Sequence, residues 1–473
     1  MNSSAQSQKR KRCLMFAYQT PRSTGGGGDI RSYHLVRMAV ELFDVTLVIS
    51  GGIHGTGDLP ADLAARCEKV IQPEAPLPNP CPTPASRVGK WFRLLKTVFF
   101  PWKNDWIEFN DLAMHHLSGK LRPVSLPGRL ALLSYQFYSL LRVRIPPLQP
   151  RLCARSWQRV RDRALQVAAE GQFDVFWAEH TLGWHMAEDI IPPHIPVICS
   201  SHNVEYLITQ RLAEKQGDSV SEYLRLEILQ MRRMEERAWR RSAVVIQCSD
   251  EDSRLTHRIV SSCQTMTVPN GVDVGYFHAD PKAEESTTST LLLTAGFNYA
   301  PNREGLTWFI RRIFPLIRSE FPEAEFLFSG SNAQAAAEEI GELPDGVRWI
   351  SSPDDIRPSF RQSLVYVVPL LSGGGTRLKI FEAMAMSLPV VSTTIGAEGV
   401  PYEHDNHLLL ADSPDDFATA VVQLLRSKEK RSQLRTAAKA FVEDGYTWEA
   451  ICQQASDQLA ILSEARFQRV KTT

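Results

Sequence analysis

Short apolar runs alternate with amphipathic segments along most of this 473-residue chain. The runs are rich in β-branched residues, which is typical of buried parallel strands, and the segments between them show helical spacing. At the amino end, residues 12–18 and 45–50 predict two strands, joined by a glycine turn at 25–28 and a helix at 29–42. This order predicts a βαβ unit and places the chain among α/β proteins.

The same alternation returns further along the chain. Additional strands are predicted at 173–178, 197–200, 243–247, 291–296, 325–329 and 347–350. One long helix is predicted at 219–241. A chain of this length usually exceeds what one hydrophobic core supports. We therefore expect two domains, at 1–285 and 286–430, with a polar linker at 281–290 and closing helices at 431–473.

The segment at about 73–150 interrupts the alternation and predicts an insertion in the first domain. Within it, residues 87–102 interleave cations with aromatic side chains at roughly helical spacing. Such a segment can lie in a membrane interface, but its lysine and arginine stems can equally cover apolar surface of the first domain. The sequence shows no transmembrane run, and the apolar run at 13–18 is too short for a signal peptide.

Composition excludes several classes of partner. Lysine plus arginine total 53 and aspartate plus glutamate total 53, which argues against a general electrostatic attraction to nucleic acid. The eight cysteines include no CxxC pair and no histidine spacing suited to zinc, which indicates reduced thiols in a cytoplasmic protein. We therefore expect no nucleic-acid partner, no metal site and no bound cofactor.

The strongest candidate site follows a predicted buried strand at 365–371. Gly373, Gly374 and Gly375 remove three Cβ atoms at the carboxyl end of that strand, so backbone amides can approach a ligand. Thr376 leads into a helix whose amino end favours an anion. The junction therefore predicts a phosphate-binding loop.

Charged residues at the start of this helix extend the prediction to a nucleoside diphosphate. Arg377 and Lys379 would neutralise the phosphates and stabilise the charge that grows on a leaving diphosphate. Glu382 would accept hydrogen bonds from a ribose diol. The alternatives are a solvated cation pair and a glutamate that only complements the helix dipole.

Four motifs occur in an order that resembles a known enzyme family. They lie at 201–205 (SHNVE), 268–273 (VPNGVD), 296–302 (GFNYAPN) and 370–385, the last containing the glycine loop. Together the set resembles the retaining glycosyltransferases of family four over roughly residues 15–450. This resemblance implies the GT-B fold, in which two Rossmann-like domains face each other across a cleft. The first domain would lie on the acceptor side, the second would bind the nucleotide sugar, and a closing helix would cross back to the first.

The chain departs from the family pattern in the second domain. The family usually places a first glutamate eight residues before the second, whereas this chain has Gly374 eight residues before Glu382. We therefore expect backbone amides of the loop to contact the donor sugar. Basic residues that many relatives carry early in this domain are not obvious here. The chain offers Asn298, Asn302 and Arg303 instead, of which Asn298 and Arg303 are weaker site candidates, and Arg377 and Lys379 would substitute for the missing cations.

The resemblance also implies a site in the first domain. The loop containing Gly27 and Gly28 would line the cleft near the donor's phosphate and sugar, although a flexible surface turn is the alternative. His202 follows a strand end, where it would contact the donor sugar or assist proton movement. A lone histidine at such a place can also be structural. Weaker candidates nearby are Asn203, Glu179 and His180.

These patterns predict a cytoplasmic, metal-independent, retaining glycosyltransferase. Its donor would be a nucleotide-diphosphate sugar, and its acceptor a hydroxyl of a glycan, a lipid-linked sugar or a small molecule. Contact of residues 87–102 with a membrane would make it peripheral to the inner face. Two alternatives stay open: a sugar-nucleotide epimerase or hydrolase on the same fold, and a non-catalytic nucleotide-sugar-binding subunit.

Overall fold

The computed structural model describes residues 10–50, 59–72, 160–215, 222–279, 285–373 and 377–470. The predicted insertion at 73–150, with its aromatic and cationic segment at 87–102, lies outside these residues, as do Gly374, Gly375 and Thr376. The chain divides into two units. The first takes residues up to Ile246, Arg254–Met266 and the chain from Gln458, and the second takes Gln247–Ser253 and Thr267–Asp457.

A parallel sheet organises the first unit. Its strands are β1 (Arg12–Ala17), β2 (Asp44–Ile49), β3 (Lys69–Ile71), β4 (Val175–Glu179), β5 (Val197–Ser200), β6 (Val244–Gln247) and β7 (Gln264–Thr267). Their order across the sheet is β3-β2-β1-β4-β5-β6-β7. All side chains of β4, β5 and β6 are buried, as expected for strands covered on both faces. Each fully buried valine or isoleucine contributes roughly 1.5–3 kcal/mol to folding.

Helices connect these strands. They are α1 (Gly27–Leu42), α2 (Ala61–Ala64), α3 (160–170), α4 (Thr181–Ala187), α5 (Glu205–Lys215), α6 (Glu222–Arg241) and α7 (Asp250–Ile259). The glycine turn predicted at 25–28 is therefore shorter than expected, because α1 already begins at Gly27. Gly26 is the extended N-cap residue, which places Gly27 and Gly28 in the first helical turn.

The second unit repeats this design with a second parallel sheet. Its strands are β8 (Thr290–Thr294), β9 (Glu325–Gly330), β10 (Val347–Ser351), β11 (Val365–Val368), β12 (Val390–Ser392) and β13 (Leu409–Leu410). Their order is β10-β9-β8-β11-β12-β13. Phe309, Phe326 and Phe328 lie in the apolar core on one side of this sheet, and Phe381 and Met384 lie in the core cluster that contains the helix after β11.

The helices of the second unit follow the same alternation. They are α8 (Ala300–Trp308), a π-helical turn (Phe309–Ile313), α9 (Phe314–Glu320), α10 (Ala333–Ile340), α11 (Arg357–Arg361), α12 (Leu378–Ala385), α13 (Pro414–Arg426) and α14 (Lys428–Gly445). The last helix, α15 (Trp448–Val470), begins in the second unit, and its residues from Gln458 belong to the first. Within the part of the chain that the structure describes, no helix is long and apolar enough to span a bilayer.

Each sheet reverses its strand order once, and such a reversal positions ligand sites in open α/β sheets. In the first sheet the reversal falls between β1 and β4, and in the second between β8 and β11. Gly28 follows β1 and Glu179 ends β4, whereas the 296–302 motif follows β8 and Gly373 follows β11. The candidate residues therefore lie at the carboxyl ends of strands at or next to these two reversals.

Candidate functional site

Arg377 lies against the described part of the glycine loop. Gly373 has φ +122°, a conformation that favours glycine, and a Cβ there would lie 3.0 Å from Nη2 of Arg377. The Arg377 side chain is buried, with 7% of the residue exposed, and its Nη2 donates to the carbonyl of Ile395 at 3.4 Å. The guanidinium is therefore packed beneath the loop, which contradicts the alternative of a solvated surface cation.

Lys379 connects the glycine loop to the motif at 296–302. Its Nζ donates to Oδ1 of Asn302 at 3.1 Å, and Nδ2 of Asn302 donates to the carbonyl of Gly296 at 2.9 Å. The second bond fixes the amide so that its oxygen faces the ammonium. Burial, reinforced by the charge of Arg377, lowers the pKa of Lys379 to about 7, although Glu382 opposes the shift.

Glu382 projects from α12 on the same side as Lys379, three residues further along. Burial raises the pKa of Glu382 to about 7, and the nearby ammonium of Lys379 limits this rise. Burial raises the pKa of Tyr366, and the charge of Glu382 adds to this rise. The Tyr366 hydroxyl bonds to Oγ1 of Thr294 at 2.6 Å. Since Glu382 is the fifth residue of α12, it lies beyond the first turn, which weakens the alternative of an acid that only complements the helix dipole.

Hydrogen bonds hold the strand ends around this cluster. Ser372 Oγ donates to Oε2 of Glu304 at 2.7 Å, which ties the loop to α8. On the other side, Thr393 Oγ1 donates to the carbonyl of Leu370 at 2.5 Å and accepts from the amide of Gly396 at 2.8 Å. Hydrogen bonds therefore fix the backbone that flanks the loop, as a preorganised anion site requires.

The two weaker candidates of this unit lie elsewhere. Arg303 donates to the carbonyl of Phe297 at 2.7 Å and pairs with Glu339 at 3.2 Å, so its guanidinium is held on its own side of α8. Asn298 is exposed after β8. The residue that faces Lys379 is Asn302, whose only signal in the sequence is its place at the end of the GFNYAPN motif.

In the first unit, His202 and Glu179 form a buried pair. Nε2 of His202 lies 2.5 Å from Oε1 of Glu179, which also accepts from Oγ of Ser32 at 2.9 Å. Burial raises the pKa of Glu179, but His202, Arg31 and Ser32 outweigh it and leave the pKa below its usual value. Burial lowers the pKa of His202, and the charge of Glu179 offsets only part of this shift. The pair therefore sets a carboxylate, whose ionised form is favoured by its neighbours, against an imidazole whose charged form is disfavoured by burial.

A second histidine and carboxylate lie beside this pair. His180 Nε2 is 3.3 Å from Oε1 of Glu205, which also accepts from Nδ2 of Asn203 at 3.3 Å. The rings of His180 and His202 have centroids 4.9 Å apart. His180 also caps α4 through Nδ1 and has φ +78°, a strained conformation for a residue other than glycine. The structure thus gives His180 a clear structural function, and it brings Asn203 to the same cluster.

Gly28 lies against His202. A Cβ at Gly28 would be 3.4 Å from Nδ1 of His202 and 2.3 Å from Nε2 of Gln19. The first turn of α1 therefore contacts the histidine directly, which contradicts the alternative of a flexible surface turn at Gly28. Gly27, one residue earlier, is exposed. Sequence reasoning missed Ser32 and Arg31, which lie one helical turn further along α1.

Among the residues that the structure describes, no group of three or more histidine, cysteine, aspartate or glutamate side chains is arranged to hold a metal ion.

Comparison with known proteins finds a family similarity within the second unit. A family model described as "Glycosyl transferases group 1" matches residues 289–427. These residues are similar to that family, and we refer to them as the group 1 domain. The group 1 domain contains Asn302, Arg377, Lys379 and Glu382. The finer assignment to family four stays a prediction.

Two curated relatives match part of the chain. An uncharacterized 44.6 kDa protein in the cps region of Klebsiella pneumoniae is 26% identical over 163 residues, which are 33% of this chain and 42% of that protein. Phosphatidyl-myo-inositol mannosyltransferase of Mycobacterium leprae is 26% identical over 193 residues, 40% of this chain and 51% of that protein. The chain thus spans about half the length of the curated relatives it matches.

A solved structure matches nearly the whole chain. HepE of Anabaena, crystallised in complex with UDP and glucose, aligns with 95% of this chain and 100% of its own, with a TM-score of 0.54 at 13% identity. At this identity the match shows the fold. The predicted α/β fold class and GT-B architecture are confirmed. One Rossmann-like sheet lies within the group 1 domain, and the other lies outside it.

Proposed function

We propose that this protein is a retaining glycosyltransferase, which moves a sugar from a nucleotide-diphosphate sugar to an acceptor hydroxyl. The observation that carries the proposal is the hydrogen bond from Lys379 to Asn302. It joins the helix that carries Lys379 and Glu382, and that follows Arg377, to the motif after β8. Two cations and Glu382 therefore lie at the order reversal of the group 1 sheet. The printed names of the similar proteins support it. One is a mannosyltransferase, and HepE was solved with UDP and glucose.

In the proposed mechanism, different side chains bind different parts of the donor. Arg377 and Lys379 neutralise the diphosphate and stabilise the charge that grows on it as the bond from the sugar's anomeric carbon to oxygen breaks. Glu382 accepts hydrogen bonds from the ribose diol. The acceptor oxygen bonds to the anomeric carbon from the face that the diphosphate leaves, and its proton passes to a phosphate oxygen of the leaving group.

The experiment that tests this function measures donor turnover. Purified protein is incubated with a panel of sugar nucleotides, with and without glycan, lipid-linked and small-molecule acceptors. Acceptor-dependent release of nucleoside diphosphate, with retained anomeric configuration by NMR, supports the proposal. Release without acceptor indicates a hydrolase, rearranged donor an epimerase, and binding without turnover a subunit that only holds the nucleotide sugar.

We expect activity to survive a strong chelator, because the cations proposed to meet the diphosphate are the side chains of Arg377 and Lys379. The measurement is the initial rate after dialysis against EDTA, compared with the same enzyme supplied with magnesium or manganese. Loss of activity on chelation that one divalent cation restores would contradict metal independence.

Activity should also depend on pH near neutrality. Lys379 loses its cation as pH rises through about 7, and Glu382 loses its anion as pH falls through about 7. Since the proposal needs both charges, kcat/KM should pass through a maximum near pH 7. The alkaline limb follows the pKa of Lys379, which burial lowers most, the charge of Arg377 lowers further and the charge of Glu382 raises.

A variant of Asn302 tests whether titration of Lys379, and not loss of enzyme stability at high pH, causes the alkaline limb. Asn302→Asp places a carboxylate against Lys379, which favours the ammonium, so the alkaline limb of kcat/KM should move to higher pH. The control is Glu338→Gln on the exposed face of α10, where a bond from Gln334 changes. An unmoved alkaline limb in Asn302→Asp would remove Lys379 as its origin.

A further inference from the structure

The buried pair of Glu179 and His202 has no part in the proton transfer described above, because the leaving diphosphate takes the acceptor proton. Yet Glu179 is fully buried and ends a central strand, and both Oγ of Ser32 and Nε2 of His202 lie within hydrogen-bond distance of its Oε1. A buried carboxylate with two directed hydrogen bonds has a fixed orientation. The question is what this arrangement does for the imidazole.

The bond determines which ring nitrogen carries the proton. Oε1 of Glu179 already accepts from Oγ of Ser32, its neighbours lower the pKa of this carboxyl group, and an ionised carboxylate only accepts hydrogen bonds. Nε2 of His202 must therefore be protonated, and the neutral ring is the Nε2–H tautomer. The opposite edge, with Nδ1, is then directed to the first turn of α1, where a Cβ on Gly28 would lie 3.4 Å from Nδ1 and 2.3 Å from Nε2 of Gln19.

Contacts from α1 and the end of β5 restrict the orientation of the Glu179 carboxylate and the His202 imidazole. Ser32 donates to the same oxygen, so it holds the carboxylate from α1 while His202 approaches from the end of β5. His180 is engaged separately with Glu205 and with the amide of Leu182. The two histidines therefore have different carboxylate partners, and only His202 contacts Glu179.

We propose that Glu179 is a positioning residue, which fixes the tautomer and orientation of His202 so that its Nδ1 edge is presented toward the glycine turn that leads into α1. Its effect on turnover rests on the proposed transfer reaction and on the contact with the donor sugar that the family resemblance implies for His202. Its effect on the imidazole does not depend on that reaction.

The first experiment reads the tautomer directly. In protein labelled with ¹⁵N-histidine, the His202 signals are identified by their loss in His202→Ala, and wild type should show the Nε2–H form. Glu179→Gln should shift His202 toward the other tautomer, because an amide can also donate to Nε2. Glu205→Gln, which alters the neighbouring pair, should leave the His202 tautomer unchanged. An Nδ1–H tautomer in wild type overturns the proposal without any variant at Glu179.

The second experiment is a double-mutant cycle in kcat. Glu179→Gln should reduce kcat about 10–100-fold, the usual cost of losing a partner that orients an active-site group. In the His202→Ala background the same change should cost little more, since Glu179 acts through that ring. An equal loss in both backgrounds overturns the positioning function. If no donor is turned over, the proposed reaction fails, while the NMR result still decides the tautomer.

Discussion

Lys379→Ala should lower kcat at saturating donor by about 10²–10³-fold, the range seen when one group that stabilises developing charge is removed. Bond cleavage concentrates negative charge on the phosphate oxygen nearest the sugar. A cation held at 3.1 Å from Asn302, in partly buried surroundings, stabilises that charge more than it stabilises the bound donor. The measurement is kcat and KM from full donor saturation curves.

The pattern of the two constants distinguishes binding from catalysis. If Lys379 only held the ground-state diphosphate, Lys379→Ala would raise KM and keep kcat. Lys379→Arg should recover part of the rate, because a planar guanidinium cannot occupy the position of the ammonium. Arg348→Ala removes an exposed cation paired with Glu325 and serves as the charge control. Wild-type kcat in Lys379→Ala would leave Arg377 and the loop amides as the main stabilisers.

Glu382→Gln should weaken donor binding by about 1.5–3 kcal/mol, the range for a hydrogen bond to a charged group. The amide keeps the shape of the side chain but loses the charge that strengthens bonds from the ribose diol. Calorimetry with the nucleoside diphosphate measures the loss at a pH above 7, where Glu382 is ionised.

The same variant has an internal check. A donor analogue that lacks the ribose hydroxyls should bind wild type and Glu382→Gln equally well. Glu338→Gln, on the exposed face of α10, again serves as the neutral control. Unchanged affinity for the intact nucleotide would remove Glu382 from the site.

Much of the fold was accessible from the sequence because buried parallel strands have a strong local signature. The strands at 12–17 and 325–330, for example, appear at nearly the predicted residues. The position of Glu382 on a helix after a glycine loop follows from the same signal. The helix start at Gly27 was missed, because glycine has low helix propensity and the packing of α1 decides its first turn.

The contacts within each candidate site could not be predicted from the sequence. Asn302 meets Lys379 across 77 residues of sequence, and neighbouring positions on a helix differ by about 100° in direction. An uncertainty of one residue in the start of α8 therefore decides whether Asn302 or Arg303 faces the loop. Glu179 and His202 likewise meet only because β4 and β5 pair with Glu179 opposite Ser200.

The partly buried pair on α12 has a consequence for how donors reach the group 1 domain. Below about pH 7, Arg377 and Lys379 are both cationic and Glu382 is neutral, so these three groups sum to a charge of +2. Above it, Lys379 is neutral and Glu382 anionic, and the sum falls to 0. Attraction of a dianionic donor from a distance is therefore strongest in mildly acidic solution, and there its association rate should be the most sensitive to ionic strength.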